Sequence, residues 1–113
     1  MEKRDEKILK GKISLFFISK IAIDASKKRD YEKEKKPLPI GLNFESQELA
    51  FNSQVRKATI SEMLNCKSLA KISTILKCLD SFGISFLEFA KEFEAISEQH
   101  AIIHYEKQRK TSS

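Results

Sequence analysis

The sequence predicts an all-α protein, and two observations lead to that prediction. Only three glycines and two prolines occur among the 113 residues, and no segment shows the sustained alternation of apolar and polar residues that a strand needs. Apolar residues recur three and four positions apart instead, which places them on one face of a helix. With 41% hydrophobic residues and eight phenylalanines, a chain of this length can build one core without disulfides. We expect one domain of five helices, with the fifth extended towards the C-terminus.

The first helix is expected to begin near Lys12, because the apolar residues from Ile13 to Ile21 recur at helical spacing. It should continue into the charged stretch 27–36. Two prolines and a glycine within 37–41 then force a loop, because proline lacks a backbone donor and restricts the residue before it.

Two short amphipathic segments follow, at 47–50 and 57–64, on either side of a turn-like stretch. Val55 is expected to fill the turn. Ile60 and Met63, three residues apart, should hold the second segment against the core. The residues that this register leaves facing outward are Arg56, Lys57, Ala58, Ser61 and Glu62.

A fourth helix should follow and end near Gly83, with Cys78 at the edge of its apolar face. Ser85 then begins a fifth helix, because Ser85 and Glu88 have the spacing of a capping box. The apolar face of the fourth helix consists of Ile72, Ile75, Leu76, Leu79 and Phe82.

An apolar stripe on the fifth helix runs past residue 95, further than a minimal helical domain needs. Its distal part has little left to cover within one chain, so we expect it to form the seam of a homodimer. Packing on the first helix of the same chain is the alternative. The expected seam residues are Phe93, Ile96 and Ile103.

An ordered set of residues between Phe44 and Phe89 carries a family resemblance. The set consists of Leu49-Ala50, Val55, Thr59-Ile60-Ser61, Asn65, Lys67, Thr74-Ile75-Leu76-Lys77 and Phe82-Gly83-Ile84-Ser85-Phe86-Leu87-Glu88-Phe89. In this order it resembles the lambda-repressor-like, XRE-type helix-turn-helix family. The resemblance implies a lambda-repressor-like domain in which the segment 57–64 is the recognition helix of a DNA-binding protein.

The resemblance further implies that this helix enters the major groove of double-stranded DNA. That groove is about 12 Å wide and presents a distinct pattern of donors and acceptors for each base pair. The expected contacts to bases come from Lys57 and Glu62, with Arg56, Ala58, Thr59 and Ser61 beside them. The expected contacts to phosphates come from Ser46, Asn65 and Lys67.

Five residues depart from the family's pattern: Ser46 stands where the family often has Gln and Ala70 where Pro is common, and the other three are Gln54, Leu64 and Cys66. Gln54 and Cys66 stand where the family has glycine, in the turn and after the recognition helix. A residue with a Cβ must either tolerate a positive φ there or reach the turn by another geometry. Leu64 stands where the family usually has Glu. These departures affect the details of DNA contact more than the fold.

The resemblance divides the chain into three parts. Residues 1–41 form a basic N-terminal extension, the first helix and a proline-rich loop, 42–95 form the helix-turn-helix core, and 96–113 form a C-terminal helix extension with a basic tail. The family joins its first two helices by only a few residues, so the loop together with the charged stretch 27–36 is an insertion. This insertion either only extends the exposed surface or forms an extra basic arm that contacts phosphates.

The net charge of +5 is unevenly distributed along the chain. Residues 1–41 hold 12 Lys or Arg against 7 Asp or Glu. Within the core, the segment 46–77 has a net charge of +3 and the segment 78–95 a net charge of −3. This polarity fits the attraction of phosphates to one face. A solvated charged surface is the other interpretation.

No residue pattern indicates catalysis, a cofactor or a metal. Cys66 and Cys78 are too few for a disulfide framework or a four-ligand zinc site, so we expect a reducing, cytoplasmic compartment. His100 and His104 have the spacing of two metal ligands, but they lack a third, so we expect a surface or dimer-edge pair. The apolar run near the start is broken by Lys20 and is too short to span a bilayer.

Two functions are consistent with these features. The first is a sequence-specific transcriptional regulator, a small repressor that binds DNA as a homodimer. The second is a protein-interaction module, such as an antitoxin-like subunit or an adaptor, that keeps the fold and reads DNA weakly or not at all; Glu62, Leu64 and Cys66 favour it. The salt dependence and site preference of DNA binding distinguish the two.

Overall fold

The computed structural model describes residues 3–112, and within that range the chain forms six α-helices and no strand. The all-α class is confirmed, whereas the expected count of five helices is wrong. None of the described helices combines the length and apolar character needed to cross a bilayer. The helices are α1 (Arg4–Lys33), α2 (Ser46–Ser53), α3 (Lys57–Leu64), α4 (Ile72–Phe82), α5 (Phe86–Ala95) and α6 (Glu98–Ser112).

Helix α1 is the element on which α3, α5 and α6 pack. It begins at Arg4 rather than near Lys12 and runs for 30 residues into the charged stretch. Phe16 and Phe17 lie at its centre with 2% and 0% of their surface exposed. The rest of the core consists of Ile13, Leu49, Ala50, Ile60, Met63, Leu64, Ile75, Cys78, Leu79 and Phe89.

The C-terminal stripe does not continue as one helix. Helix α5 ends at Ala95, and Ile96 has extended backbone angles. The Ser97 Oγ then accepts a hydrogen bond from the His100 N–H at 3.0 Å, which caps the start of α6. Helix α6 packs on the N-terminal half of α1. The expected extension of the fifth helix is therefore wrong, because this break lets the last helix cover its own chain.

Helices α1 and α6 cross closely at Gly11. A Cβ placed on Gly11 would lie 2.2 Å from the carbonyl oxygen of Ala101, far inside contact distance. Ala101 itself is fully buried at 0% exposure. The two backbones can approach this closely only because neither residue has a larger side chain at the crossing.

Helix α4 buries only part of the expected face, since Phe82 also packs against the core. Ile75 and Leu79 are buried, but Ile72 and Leu76 are 57% and 46% exposed. Cys78, expected at the edge of the face, is fully buried. The contact of α4 with α2 accounts for the difference, because it turns the Cys78 side of α4 inward.

Four helices end in the same hydrogen-bonded turn, although only one of them ends in glycine. At the end of α2, Gln54 has φ 60°, and the Val55 N–H donates to the carbonyl of Ala50 at 3.1 Å. This is a Schellman turn, in which a left-handed residue follows the helix. Lys35, Cys66 and Gly83 are the left-handed residues of the equivalent Schellman turns after α1, α3 and α4. Gln54 and Cys66 therefore adopt the positive φ that their positions require.

The start of α5 has the expected cap. The Ser85 Oγ accepts a hydrogen bond from the Glu88 N–H at 3.1 Å. Ile84, just before the cap, packs against the core, and Phe89 is buried in it. The predicted N-terminus of the fifth helix is confirmed.

We expect Gly11→Ala to destabilise the protein by several kcal/mol, on the order of an overpacked core site or more, because the new methyl meets backbone that cannot rotate away. Thermal unfolding measures the effect. Ser26→Ala, at an exposed position of α1, is the matched control and should be neutral or slightly stabilising. An unchanged midpoint for Gly11→Ala would contradict the close crossing.

We expect Gln54→Gly to stabilise the protein by about 0.5–1 kcal/mol. Gln54 is exposed and left-handed, a conformation that costs a residue with a Cβ about 1 kcal/mol, whereas the greater freedom of glycine in the unfolded chain offsets part of the gain. Urea unfolding measures the change. Gln99→Gly, at an exposed helical position, should destabilise instead.

Candidate nucleic-acid interface

Helices α2 and α3 pack against each other across the turn at 54–56. Leu49 and Ile60 are fully buried behind them, and Val55 packs against the core from the turn itself. One side of α3 is thereby held on the core, and the opposite side faces solvent. The exposed residues at its start and on its outer face are Arg56, Lys57, Ala58, Ser61 and Glu62.

The two remaining expected residues of this face are half-buried. Thr59 lies at the edge of the outer face. Asn65 caps the C-terminal end of α3, and its Nδ2 donates a hydrogen bond to Ser61 Oγ at 3.2 Å. Because Asn65 is not at the start of a helix, free backbone amides do not support a phosphate contact there. Its side-chain amide, joined to Ser61 on the outer face, is the group that could contact DNA.

Ser46 and Lys67 flank this face at its two ends. Ser46 is the first residue of α2 and is exposed, so the free amides of that helix end are open to solvent. The Lys67 side chain is exposed, while its carbonyl oxygen accepts a hydrogen bond from Lys10 Nζ at 3.4 Å. The backbone at Lys67 is thus tied to α1 and its ammonium faces outward.

An open groove of about 430 Å³ lies between α2 and α3. Phe51 lines it and is 79% exposed, which is unusual for a phenylalanine outside an interface. Lys57 lies on the other wall of the same groove. Phe51 was not among the residues expected at this face from the sequence. The signal available was its place two positions after the buried Leu49, which turns it out of the core.

A buried polar chain supports α3 from behind. The hydroxyl of Ser14, which is fully buried in α1, donates to the carbonyl oxygen of Leu64 at the end of α3. The Ser14 Oγ lies 2.9 Å from His104 Nε2 on α6. Since the Ser14 proton is used for Leu64, the His104 Nε2–H is the donor of the second bond. The C-terminal end of α3 is therefore connected to both α1 and α6.

The departures Leu64 and Cys66 have structural explanations. Leu64 is 9% exposed and belongs to the core, so it cannot read bases as an outward Glu could. Cys66 is fully buried, and its thiol donates to the carbonyl oxygen of Lys10 at 3.6 Å. Both residues therefore fasten the end of α3 to α1 rather than form part of its outer face.

The histidine pair and the second cysteine do not form a reactive centre. His100 is exposed, whereas His104 is half-buried on Ser14. Within residues 3–112, no three metal-binding side chains come together. Burial raises the pKa of the Cys78 thiol to about 11, against a smaller lowering by a hydrogen bond with Ser53. Cys78 is thus a protonated core residue at neutral pH.

The expected dimer seam lies largely inside the chain. Phe93 and Ile96 are half-buried against the core, and the Phe93 ring centroid is 5.6 Å from that of Phe89. The Lys12 ammonium of α1 lies 5.0 Å from the centroid of the Phe93 ring. Ile103 alone of the three seam residues is exposed, at 58%. Packing within one chain, the alternative considered from the sequence, accounts for Phe93 and Ile96.

Comparisons with known proteins give no relative: no family model matches the chain, and no curated protein or solved structure matches it. The lambda-repressor-like resemblance therefore stays a prediction. The function is therefore inferred from the geometry of α2 and α3 and from the contacts of α3 with α1 and α6.

We expect the protein to lose stability as the pH falls below about 6.5. Burial lowers the pKa of His104 below its ordinary value of 6.5, and the charges of His100 and Lys107 lower it further. The unfolded chain then binds a proton that the folded chain excludes, so stability is full above the ordinary pKa and declines below it.

Urea unfolding between pH 8 and pH 5 measures this loss. In His104→Gln, the part of the pH dependence of the unfolding free energy that is due to this group should disappear. His100→Gln removes only a neighbouring charge and should keep most of it. Identical slopes for the His104 variant and the unmodified protein would contradict the assignment.

Proposed function

We propose that this protein is a sequence-specific DNA-binding transcriptional regulator of the lambda-repressor-like helix-turn-helix kind, a small repressor that places α3 in the major groove. The observation that carries the proposal is the contrast between the two sides of α3. Its inner side is buried, its C-terminal end is hydrogen-bonded to α1, and its outer side is largely polar and exposed. A helix of this kind fits the width of the groove.

The residues of the outer face have side chains suited to base edges. The Lys57 ammonium can donate to the acceptors of guanine, and the Glu62 carboxylate can accept from the cytosine amino group. Arg56, Thr59 and Ser61 add donors and acceptors beside them, and Ala58 leaves room for a thymine methyl group. We infer that Lys57 and Glu62 set most of the preference among sequences.

Contacts to the DNA backbone come from the two ends of the interface. Ser46 offers the free amides at the start of α2, and Lys67 offers a charge just beyond α3. Asn65 can reach a phosphate through its side chain. These contacts position the protein and add affinity that does not depend on sequence.

A two-fold homodimer is part of the proposal for a physical reason. One recognition helix reads too few base pairs to be selective, and a dimer doubles the site, with half-sites roughly 34 Å apart or a multiple of that. The seam is not assigned to Phe93 and Ile96, because both are already half-buried against the core of their own chain. A palindromic best site, selected from random DNA, is the result expected of such a dimer.

The second candidate function is a protein-interaction module of the antitoxin or adaptor type. The exposed Phe51 in the groove between α2 and α3 favours it, because aromatic side chains in open grooves are frequent anchors of protein interfaces. Such a module would show neither a steep salt dependence on DNA nor a preferred site.

We expect Lys57→Ala to weaken binding to the best selected site by about 1–3 kcal/mol, the value of one good contact to a base. Binding to unrelated DNA should change far less, so the preference for the best site shrinks. Titration of both duplexes at one salt concentration measures this. An unchanged preference would contradict the role of Lys57, and no preferred site in the unmodified protein would contradict the proposed function.

The matched comparison is Lys67→Gln, which removes the same charge at the edge of the interface. It should weaken binding to all DNA sequences alike and reduce the slope of log K against log salt by about one for each bound protomer. Lys91→Gln, on the exposed side of α5, is the control and should change neither quantity.

A further inference from the structure

The C-terminal part of α1 and the residues just after it form a basic surface outside the interface described above. We call residues 27–36 the basic arm; they hold six Lys or Arg against three Asp or Glu. Most of these residues are exposed. The arm is therefore the most strongly charged short segment of the described chain that the core does not use.

A buried polar cluster fixes the base of the arm. The Oδ2 of Asp24 accepts a hydrogen bond from the backbone N–H of Asn43 at 2.9 Å. Asn43 is fully buried; its Nδ2 donates to Ser81 Oγ at 2.9 Å and its Oδ1 accepts from Asn52 Nδ2 at 2.8 Å. One asparagine thus joins α1, the end of the loop, α2 and α4. The residues just before the arm are therefore held in a fixed position on the rest of the protein.

The start of the arm lies beside the start of α2. The Lys28 ammonium lies 4.6 Å from the centroid of the Phe44 ring, a cation–π contact. Phe44 precedes Ser46 by two residues, so the first turn of the arm adjoins the helix end that the proposed function places on a phosphate. The basic surface is therefore continuous with the backbone-contacting edge of the interface.

Three cations of the arm have no carboxylate partner among the described residues: Arg29 and Lys33 within α1, and Lys35 just after it. Lys27, Lys28 and Lys36 each have a carboxylate partner, at 3.9, 3.6 and 2.9 Å respectively. Arg29 and Lys33 are exposed and form no ion pair among the described residues. They are four residues apart in α1 and so lie on one face of the helix, with Cβ atoms about 5–6 Å apart.

We infer that the basic arm is a second phosphate-binding surface, in which Arg29 and Lys33 contact the DNA backbone outside the site that α3 reads. The inference rests on the proposed function. Nine residues of α1 follow Asp24 and extend about 13 Å, which equals the length of roughly four base pairs. A duplex is favoured over an acidic protein or an anionic membrane because the arm adjoins Ser46.

The test uses the double variant Arg29→Gln, Lys33→Gln and two duplexes. One duplex contains only the selected site, and the other adds about six base pairs on each side. The unmodified protein should bind the longer duplex on the order of tenfold more tightly, and the variant should lose this gain. On the longer duplex, its salt slope should fall by about two for each bound protomer. The preference for the best site over a scrambled site should not change.

The control is Lys91→Gln, Lys107→Gln, which removes the same charge from exposed positions of α5 and α6 and should keep the gain from the longer duplex. Thermal unfolding checks that both variants are folded.

The outcomes separate the inference from the function on which it rests. If the double variant keeps the full gain and slope while Lys57→Ala loses site preference, the inference is overturned and the proposed function stands. If the unmodified protein binds no DNA, both are overturned. Loss of binding to vesicles of anionic lipid, with DNA binding unchanged, would assign the arm to a membrane surface instead.

Discussion

The packing of Phe16 and Phe17 at the centre of α1 is the contact on which the rest of the structure depends. The Phe17 ring lies 5.1 Å from Phe16, 6.3 Å from Phe82 and 6.2 Å from Phe89, measured between ring centroids, so one cluster joins α1, α4 and α5. Each buried phenylalanine contributes about 1.5–3 kcal/mol, and each well-placed ring pair adds about 0.5–1.5 kcal/mol. Because Ile60 belongs to the same core, the position of α3 follows from this cluster.

Two buried polar clusters then fix how the other helices lie on α1. Ser14 connects α1 to the end of α3 and to His104 of α6, and Asp24 connects α1 to Asn43 and the loop. Removing one partner from such a cluster leaves a buried polar group unsatisfied, which costs about 1–3 kcal/mol. The clusters therefore make the orientation of α3, and of the basic arm, more specific than apolar packing alone would. This precision is what a proposed DNA-reading surface needs, because contacts to bases depend on geometry.

Much of the fold could be predicted from the sequence because it depends on local features. The helical spacing of apolar residues predicted the all-α class, and Ser85 with Glu88 predicted the start of α5, where the cap is formed within four residues. The positions of Ile60 and Met63 predicted which side of α3 is buried, and so which side chains are exposed. Even the conflict at Gln54 was visible, since a Schellman turn requires a left-handed residue whatever its side chain.

The features that could not be predicted depend on contacts between residues far apart in the sequence. The stripe through Ile96 predicted a dimer seam, but the break at Ser97 lets α6 return to α1, where Gly11 and Ala101 together permit the close crossing. Periodicity shows that a helix has an apolar face, but it does not show what covers that face. For the same reason the exposure of Phe51 and the link from Asp24 to the loop could not be predicted. Local sequence patterns therefore predict the helices and the outward side of α3, whereas long-range packing determines which surfaces remain exposed.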